Sequence, residues 1–317
     1  MLRTLGFHRG INFGGWFSQC DYSREHLDSF ITERDFETVA AWGLDHVRIP
    51  FDYNILENPD GSFAQEGFER LHRALSLCRQ YGLGLTLDLH KTAGFSFDSF
   101  GESEHGFFES EDYQERFYRL WEALARQFGT YSDCVIFELL NEVTEARFLP
   151  AWNRILAACI ARIRCIAPDT VILAGSYENN SVLTVSALES PADTRVVYNF
   201  HCYEPLAFTH QGAYWTPVID PGRRVPFEEA GCSSAYFEAL FSDALQKAEL
   251  EHTCLYCGEY GVIDRVPPEE TLAWFRAIHE VLEAHGIARC AWTYRGMDFS
   301  LTDPRLDSVR SELVACL

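Results

Sequence analysis

The chain has 317 residues, 47% apolar and 23% charged, and a net charge of −21 from 26 basic and 47 acidic side chains. That apolar content can fill a core and excludes disorder, while the negative charge excludes nucleic acid and anionic membrane as partners. No apolar run has the form of a signal peptide or a bilayer span, so the 11 cysteines read as reduced, buried thiols of a cytoplasmic protein.

In chain order, short β-branched runs alternate with amphipathic segments. Strands are predicted at 9–14, 45–50, 84–90, 134–141, 170–175, 195–201, 254–259 and 288–293. Helices are predicted between them at 33–42, 65–81, 112–128, 148–166, 234–248 and 268–285. The segment 176–190 leaves room only for a short fifth helix. Gly43-Leu44, Gly82-Leu83 and Gly286-Ile287 look like left-handed helix stops with a hydrophobic contact behind them. Eight β-then-α units predict one (β/α)8 barrel, a TIM barrel, over residues 1–317 as a single domain. A doubly wound sheet is the alternative, but its G-x-G-x-x-G turn after the first strand is missing.

Alternate side chains of a barrel strand point inward. Val47 and Ile49, Leu85, Leu87 and Leu89, and Val196, Tyr198 and Phe200 form the outward sets. His46 and Arg48, Thr86, Asp88 and His90, and Asn199 and His201 therefore point inward. The polar set gathers at the C-terminal strand ends, where barrel active sites lie. Two carboxylates stand out there: Glu142 closes the apolar fourth strand and Glu259 the seventh. Arginine-paired structural acids are the bland alternative. A pair of carboxylates across a sugar-sized cleft suits glycoside hydrolysis. Arg48 could keep a partner carboxylate ionised, which suits Glu259 as nucleophile. Glu142 would then be the acid and has to keep its proton near neutral pH. Asn141 could bind a sugar 2-hydroxyl. Glu138 shares the inward parity of Glu142 one layer deeper and reads as a structural partner for an inward cation.

The ordered set Arg48 in His-Val-Arg-Ile-Pro, His90 in Asp-Leu-His, Asn141-Glu142, His201-x-Tyr203, Glu259 and Trp292 resembles glycoside hydrolase family 5. Gly10-Ile-Asn-Phe-Gly-Gly-Trp16 and Tyr198-Asn-Phe-His-Cys-Tyr-Glu-Pro205 also match, the latter closest to endoglucanase C-type members. The resemblance spans almost the whole chain. It implies a retaining barrel with Glu142 as acid/base and Glu259 as nucleophile. It further implies that Arg48, His90, Asn141, His201, Tyr203 and Trp292 line the subsite of the scissile bond, with Tyr203 bonded to the nucleophile and Trp292 under a sugar. Lys91 stands where many endoglucanases carry a second histidine.

Trp16, Tyr214 and Trp215 fall in loops after strands, where a flat ring can stack on a pyranose. Phe95, Phe97 and Phe100 form another cleft wall or pack the third loop. Cys254-x-x-Cys257 has no second pair, and positions three apart on a strand face opposite ways, so it does not read as a metal or redox site. The expected protein is a monomeric endo-β-glucanase without metal or cofactor, acting on β-1,4 or mixed β-1,3/1,4 glucosidic bonds of an oligo- or polysaccharide. A β-1,3-exoglucanase or β-glucosidase, a β-mannanase, and a carbohydrate-binding barrel without activity are the alternatives.

Overall fold

The computed structural model describes residues 1–98, 104–191 and 193–317. Phe100, one of the rings considered for the third loop, lies outside the described residues. Eight strands close a barrel in chain order. They are Arg9–Asn12 (β1), His46–Asp52 (β2), Gly84–Lys91 (β3), Val135–Glu138 (β4), Ile172–Gly175 (β5), Val196–Cys202 (β6), Leu255–Tyr260 (β7) and Ala288–Ala291 (β8). Closure is the parallel pairing of β1 with β8, with Gly10 opposite Cys290. The helices Glu33–Ala41, Gln65–Gln80, Glu111–Phe128, Leu149–Arg164, Ser234–Leu250 and Pro268–Ala284 follow the first, second, third, fourth, sixth and seventh strands. After β5 the chain instead forms a turn at Tyr177–Asn180 and a 3-10 segment at Val182–Ala187.

Each strand is buried on both sides, as parallel strands under a helical ring are. Val47, Ile49, Leu85, Leu87, Phe137, Tyr198 and Phe200 pack outward in the main core. A second apolar cluster of Phe7, Ile136, Leu173, Val197, Tyr256 and Cys290 fills the lower barrel. Cys254 packs against that inner cluster and Cys257 belongs to the outer one, so the two thiols are on opposite sides of the sheet. The three glycine stops have positive φ, and Leu83 and Ile287 return their N–H groups to Cys78 and Leu282, each at 2.8 Å.

Two details position the site, the first a departure from the predicted strand ends and the second from simple alternation. First, β4 ends at Glu138 and β8 at Ala291. Asn141, Glu142 and Trp292 are therefore on the loops beyond the strands. Second, strict alternation would turn Glu259 outward with Leu255 and Cys257. A bulge corrects this: Phe200 pairs with Cys257, but His201 pairs with Glu259, leaving Gly258 as the extra residue. A Cβ at Gly258 would come within 2.6 Å of Asn199 Oδ1, so the bulge needs glycine.

Three buried indoles pin the strand exits. Trp121 donates to the Leu139 carbonyl at 3.0 Å, Trp152 to Gly175 at 2.9 Å and Trp274 to Glu204 at 3.1 Å. Trp121→Phe keeps most of the packing but orphans a buried carbonyl next to the loop that carries Glu142. Urea unfolding should show a loss of about 1–3 kcal/mol, and Trp121→Ala about 3–5 kcal/mol.

Candidate active site

Arg48 is the hub of the polar layer above the inner apolar cluster, and it is fully buried. Its Nε and Nη2 form two 2.7 Å bonds to Glu138, while Nη1 donates to Asn12 at 2.8 Å and Glu259 at 2.7 Å. Nη2 also donates to Asn141 at 2.9 Å and pairs with Asp88 at 3.0 Å. Burial disfavours the guanidinium charge, but Asp88, Glu138 and Glu259 outweigh it and raise the affinity for the proton further. Glu138 is thus the structural partner its parity suggested. Burial pushes its carboxyl upward against the pull of Arg48, and Asn199 Nδ2 donates to it at 2.8 Å. Asn12 and Asp88 were not singled out as site residues. Their inward position beside Arg48 was the available signal.

Glu142 and Glu259 meet over this layer, with His201 between them. His201 Nδ1 lies 2.7 Å from Glu142 Oε1 and 3.6 Å from Glu259 Oε2. One side-chain atom from each of Glu142, His201 and Glu259 falls within 4.8 Å of the others, a spacing that could also hold a metal ion. The two acids have different surroundings. Burial alone would raise the Glu259 carboxyl. The charges of His201, Arg48 and His90 and a 2.8 Å bond from the Tyr203 hydroxyl outweigh it and hold that carboxyl below its ordinary value. Among the described residues no arginine or lysine pairs with Glu142; His201 and the Asn179 amide, at 3.0 Å from Oε2, are its partners. Burial lowers the proton affinity of His201, yet the neighbouring carboxylates raise it overall.

The remaining predicted residues frame the same mouth. The His90 and Trp292 rings are parallel to within 3°, with centroids 5.9 Å apart. Asn141 uses its oxygen on Arg48, and its buried Nδ2 has no partner, leaving a donor available at the base of the cleft. Trp215 is 43% exposed on the loop after β6. It touches His210, which packs edge-on against Tyr203, so it stands at the rim rather than beside the acids. Tyr214 is exposed next to it. Trp16 is different: its face is stacked on Phe17 and its Nε1 is bonded to the Leu27 carbonyl, away from the two acids, and so it belongs to the core. Phe95 is also core, whereas Phe97 is half-buried with its ring edge-on to His90 at 4.9 Å. Lys91 approaches the Tyr22 hydroxyl at 3.1 Å and the Asp52 carboxylate at 3.6 Å. No helix among the described residues is long and apolar enough to cross a membrane.

One carboxylate is held ionised and a second faces it across a histidine. Such a pair can attack an acetal carbon from one side and handle protons on the other. Residues 10–298 match the cellulase family, glycosyl hydrolase family 5. The chain is 59% identical to cellodextrinase A of Ruminococcus flavefaciens over 289 residues, covering 91% of this chain and 86% of that protein. It is 36% identical to endoglucanase C of Acetivibrio thermocellus over 340 residues, covering 99% and 98%. Among solved structures, endoglucanase Cel5A of Thermotoga maritima superposes with a TM-score of 0.83 at 22% identity, covering 99% of this chain and 98% of that one.

The charge layer gives stability a pH dependence. Burial would lower His90, but the Asp88 carboxylate 2.6 Å from its Nδ1 outweighs this and raises it from 6.5 to about 8. A raised histidine stabilises the fold fully below its unfolded value and loses that contribution as pH climbs through its folded value. The window is pH 6.5 to 8, and a shift of this size corresponds to about 2 kcal/mol. Urea unfolding at pH 6 and pH 9 should show this loss in the parent chain and a flatter response in His90→Gln.

Proposed function

The chain belongs to the cellulases of glycosyl hydrolase family 5, and on that premise we propose that it cleaves β-1,4-glucosidic bonds inside soluble cello-oligosaccharides with retention of configuration. The observation that carries this reading is the approach of Glu142 and Glu259 to within 4.8 Å around His201. Retaining enzymes need their carboxyl groups about 5–5.5 Å apart, and inverting ones about 6.5–9.5 Å. The cellodextrinase name of the 59% identical relative favours oligosaccharide over insoluble polymer.

In the proposed reaction, Glu259 attacks the anomeric carbon and forms a glycosyl ester. Arg48 and Tyr203 each donate to one of its oxygens, so the attacking group is aimed and charged before substrate arrives. Glu142 passes its proton to the departing glycosidic oxygen as the C–O bond breaks. It then takes a proton from the water that cleaves the ester, and Glu259 leaves as carboxylate. His201 stands between the acids and relays the electrostatic consequence of each protonation change. The unpartnered Asn141 amide is placed to meet the 2-hydroxyl, a contact that strengthens as positive charge develops at the anomeric carbon. Trp292 supplies a flat face for the sugar at the point of cleavage. Trp215 and Tyr214 offer a platform for a sugar unit further along the chain, which is why we place the cut within the oligosaccharide. Mixed β-1,3/1,4 oligosaccharides, bent at the β-1,3 bond, are the second substrate class we include.

Hydrolysis of cellotetraose followed by NMR should release the β-anomer first and yield mainly cellobiose. A first-formed α-anomer would contradict double displacement, and stepwise release of glucose would contradict cleavage within the chain. Glu259→Gln should abolish turnover while oligosaccharide binding persists by calorimetry. Glu142→Gln should lose about 10²–10⁴-fold on cellotetraose and far less in the glycosylation step of a dinitrophenyl cellobioside, whose leaving group needs no proton. Trp215→Ala should raise KM for cellotetraose more than for the aryl cellobioside.

A further inference from the structure

We propose that Asn179 is a positioning residue for Glu142, presented by a left-handed turn that replaces the fifth barrel helix; the proposal rests on the reading of Glu142 as acid/base. Glu178, Asn179 and Asn180 have φ of 52°, 57° and 56°. Three successive non-glycine residues in this region are rare, because the Cβ crowds the following carbonyl. Asparagine tolerates the region best and glutamate poorly, so the surroundings have to enforce the turn.

Those surroundings are the two segments that flank the acid. The N–H groups of Glu178 and Asn179 donate to the carbonyls of Thr144 and Val143 at 3.2 and 3.0 Å, directly after Glu142 in the chain. On the other side Ser181 forms a parallel bridge with His201. Below, the Asn180 amide lies over the end of β5, where a Cβ on Gly175 would come within 2.3 Å of its Oδ1. The turn is therefore clamped between the loop that carries Glu142 and the strand that carries His201. Its product is one hydrogen bond, from Asn179 Nδ2 to Glu142 Oε2 at 3.0 Å, opposite the His201 bond to Oε1. Glu142 is itself left-handed, with φ of 33°. Backbone strain thus sits at both ends of this bond, as is common where geometry is held for function.

The amide suits a group that works in two protonation states. Its N–H donates to the carboxylate that activates water, and its oxygen can accept from the carboxylic acid that protonates the leaving group. Asn179 is exposed, so it can turn between these roles without repacking a core. The other charged or titratable groups facing Glu142 are His201 and Tyr203 from β6 and its exit, and Glu259 of β7. Arg48 lies behind Glu259, and Glu178 points from the turn itself to solvent.

The test is the pH profile of kcat/KM on cellotetraose for Asn179→Gly and Asn179→Asp, with thermal unfolding alongside. Glycine accepts the left-handed turn, so Asn179→Gly should fold and keep its melting temperature. It loses a donor that favours the ionised form of Glu142, so the alkaline limb should move to higher pH, by about one unit for a charged hydrogen bond. Asn179→Asp places a second negative charge there and should move the limb further the same way. In both variants kcat should fall more than KM rises. A wild-type alkaline limb in Asn179→Gly, whatever its stability, or a limb displaced to lower pH, overturns the proposal. Undiminished turnover of cellotetraose by Glu142→Gln would instead overturn the acid/base reading beneath it, and the two failures are separable because they come from different variants.

Discussion

One buried guanidinium organises this molecule. Arg48 has no contact with solvent, and its donors reach side chains from β1, β3, β4, the loop after β4, and β7. Taking a charge out of water costs several kcal/mol unless partners surround it. Here Asp88, Glu138 and Glu259 do so. They would over-compensate, and the protonated tendencies of His90 and His201 restore the balance. A barrel strand that slipped by one residue would leave part of this network unpaired in a low dielectric. The layer therefore fixes strand register as well as the charge of Glu259, the carboxylate we propose as nucleophile, so that in this reading the same residues serve stability and chemistry.

The difference between the two acids follows from that layer. Glu259 touches the guanidinium and a tyrosine hydroxyl, so it is the better-stabilised anion. Glu142 sits one step above, reached by a histidine and an amide and by no permanent cation among the described residues. Environment alone therefore distinguishes two chemically identical carboxyl groups, as the proposed division of tasks requires. His201 couples them, because a proton lost or gained at one changes the field at the other.

Most of this frame was legible in the sequence because period-two alternation is unusually clean in β2, β3 and β6. Once Val47, Leu87 and Phe200 are outside, Arg48, Asp88 and His201 have to be inside. Parity misleads at β7, where Gly258 bulges and turns Glu259 from the outer to the inner side. A glycine within a strand was the available hint. It also overextends β4, since Leu139 and Leu140 continue an apolar run after the ladder has ended at Glu138. The turn at Glu178–Asn180 left only a gap where a helix was expected and an Asn-Asn pair that tolerates left-handed angles, because tertiary hydrogen bonds more than local preference enforce its dihedral angles. Trp16 was read as a loop aromatic for stacking on sugar. Its contacts decide that matter, since Phe17 takes its face and the Leu27 carbonyl its N–H.

The account turns on a covalent bond to Glu259. A cellobioside with fluorine at C2 and a dinitrophenolate leaving group slows both steps by destabilising an oxocarbenium-like transition state, while its good leaving group lets the first proceed. Digestion and mass spectrometry of the inactivated protein should find one fluorocellobiosyl group, attached at Glu259. Attachment at Glu142, or inactivation without any sugar on the chain, would contradict the account.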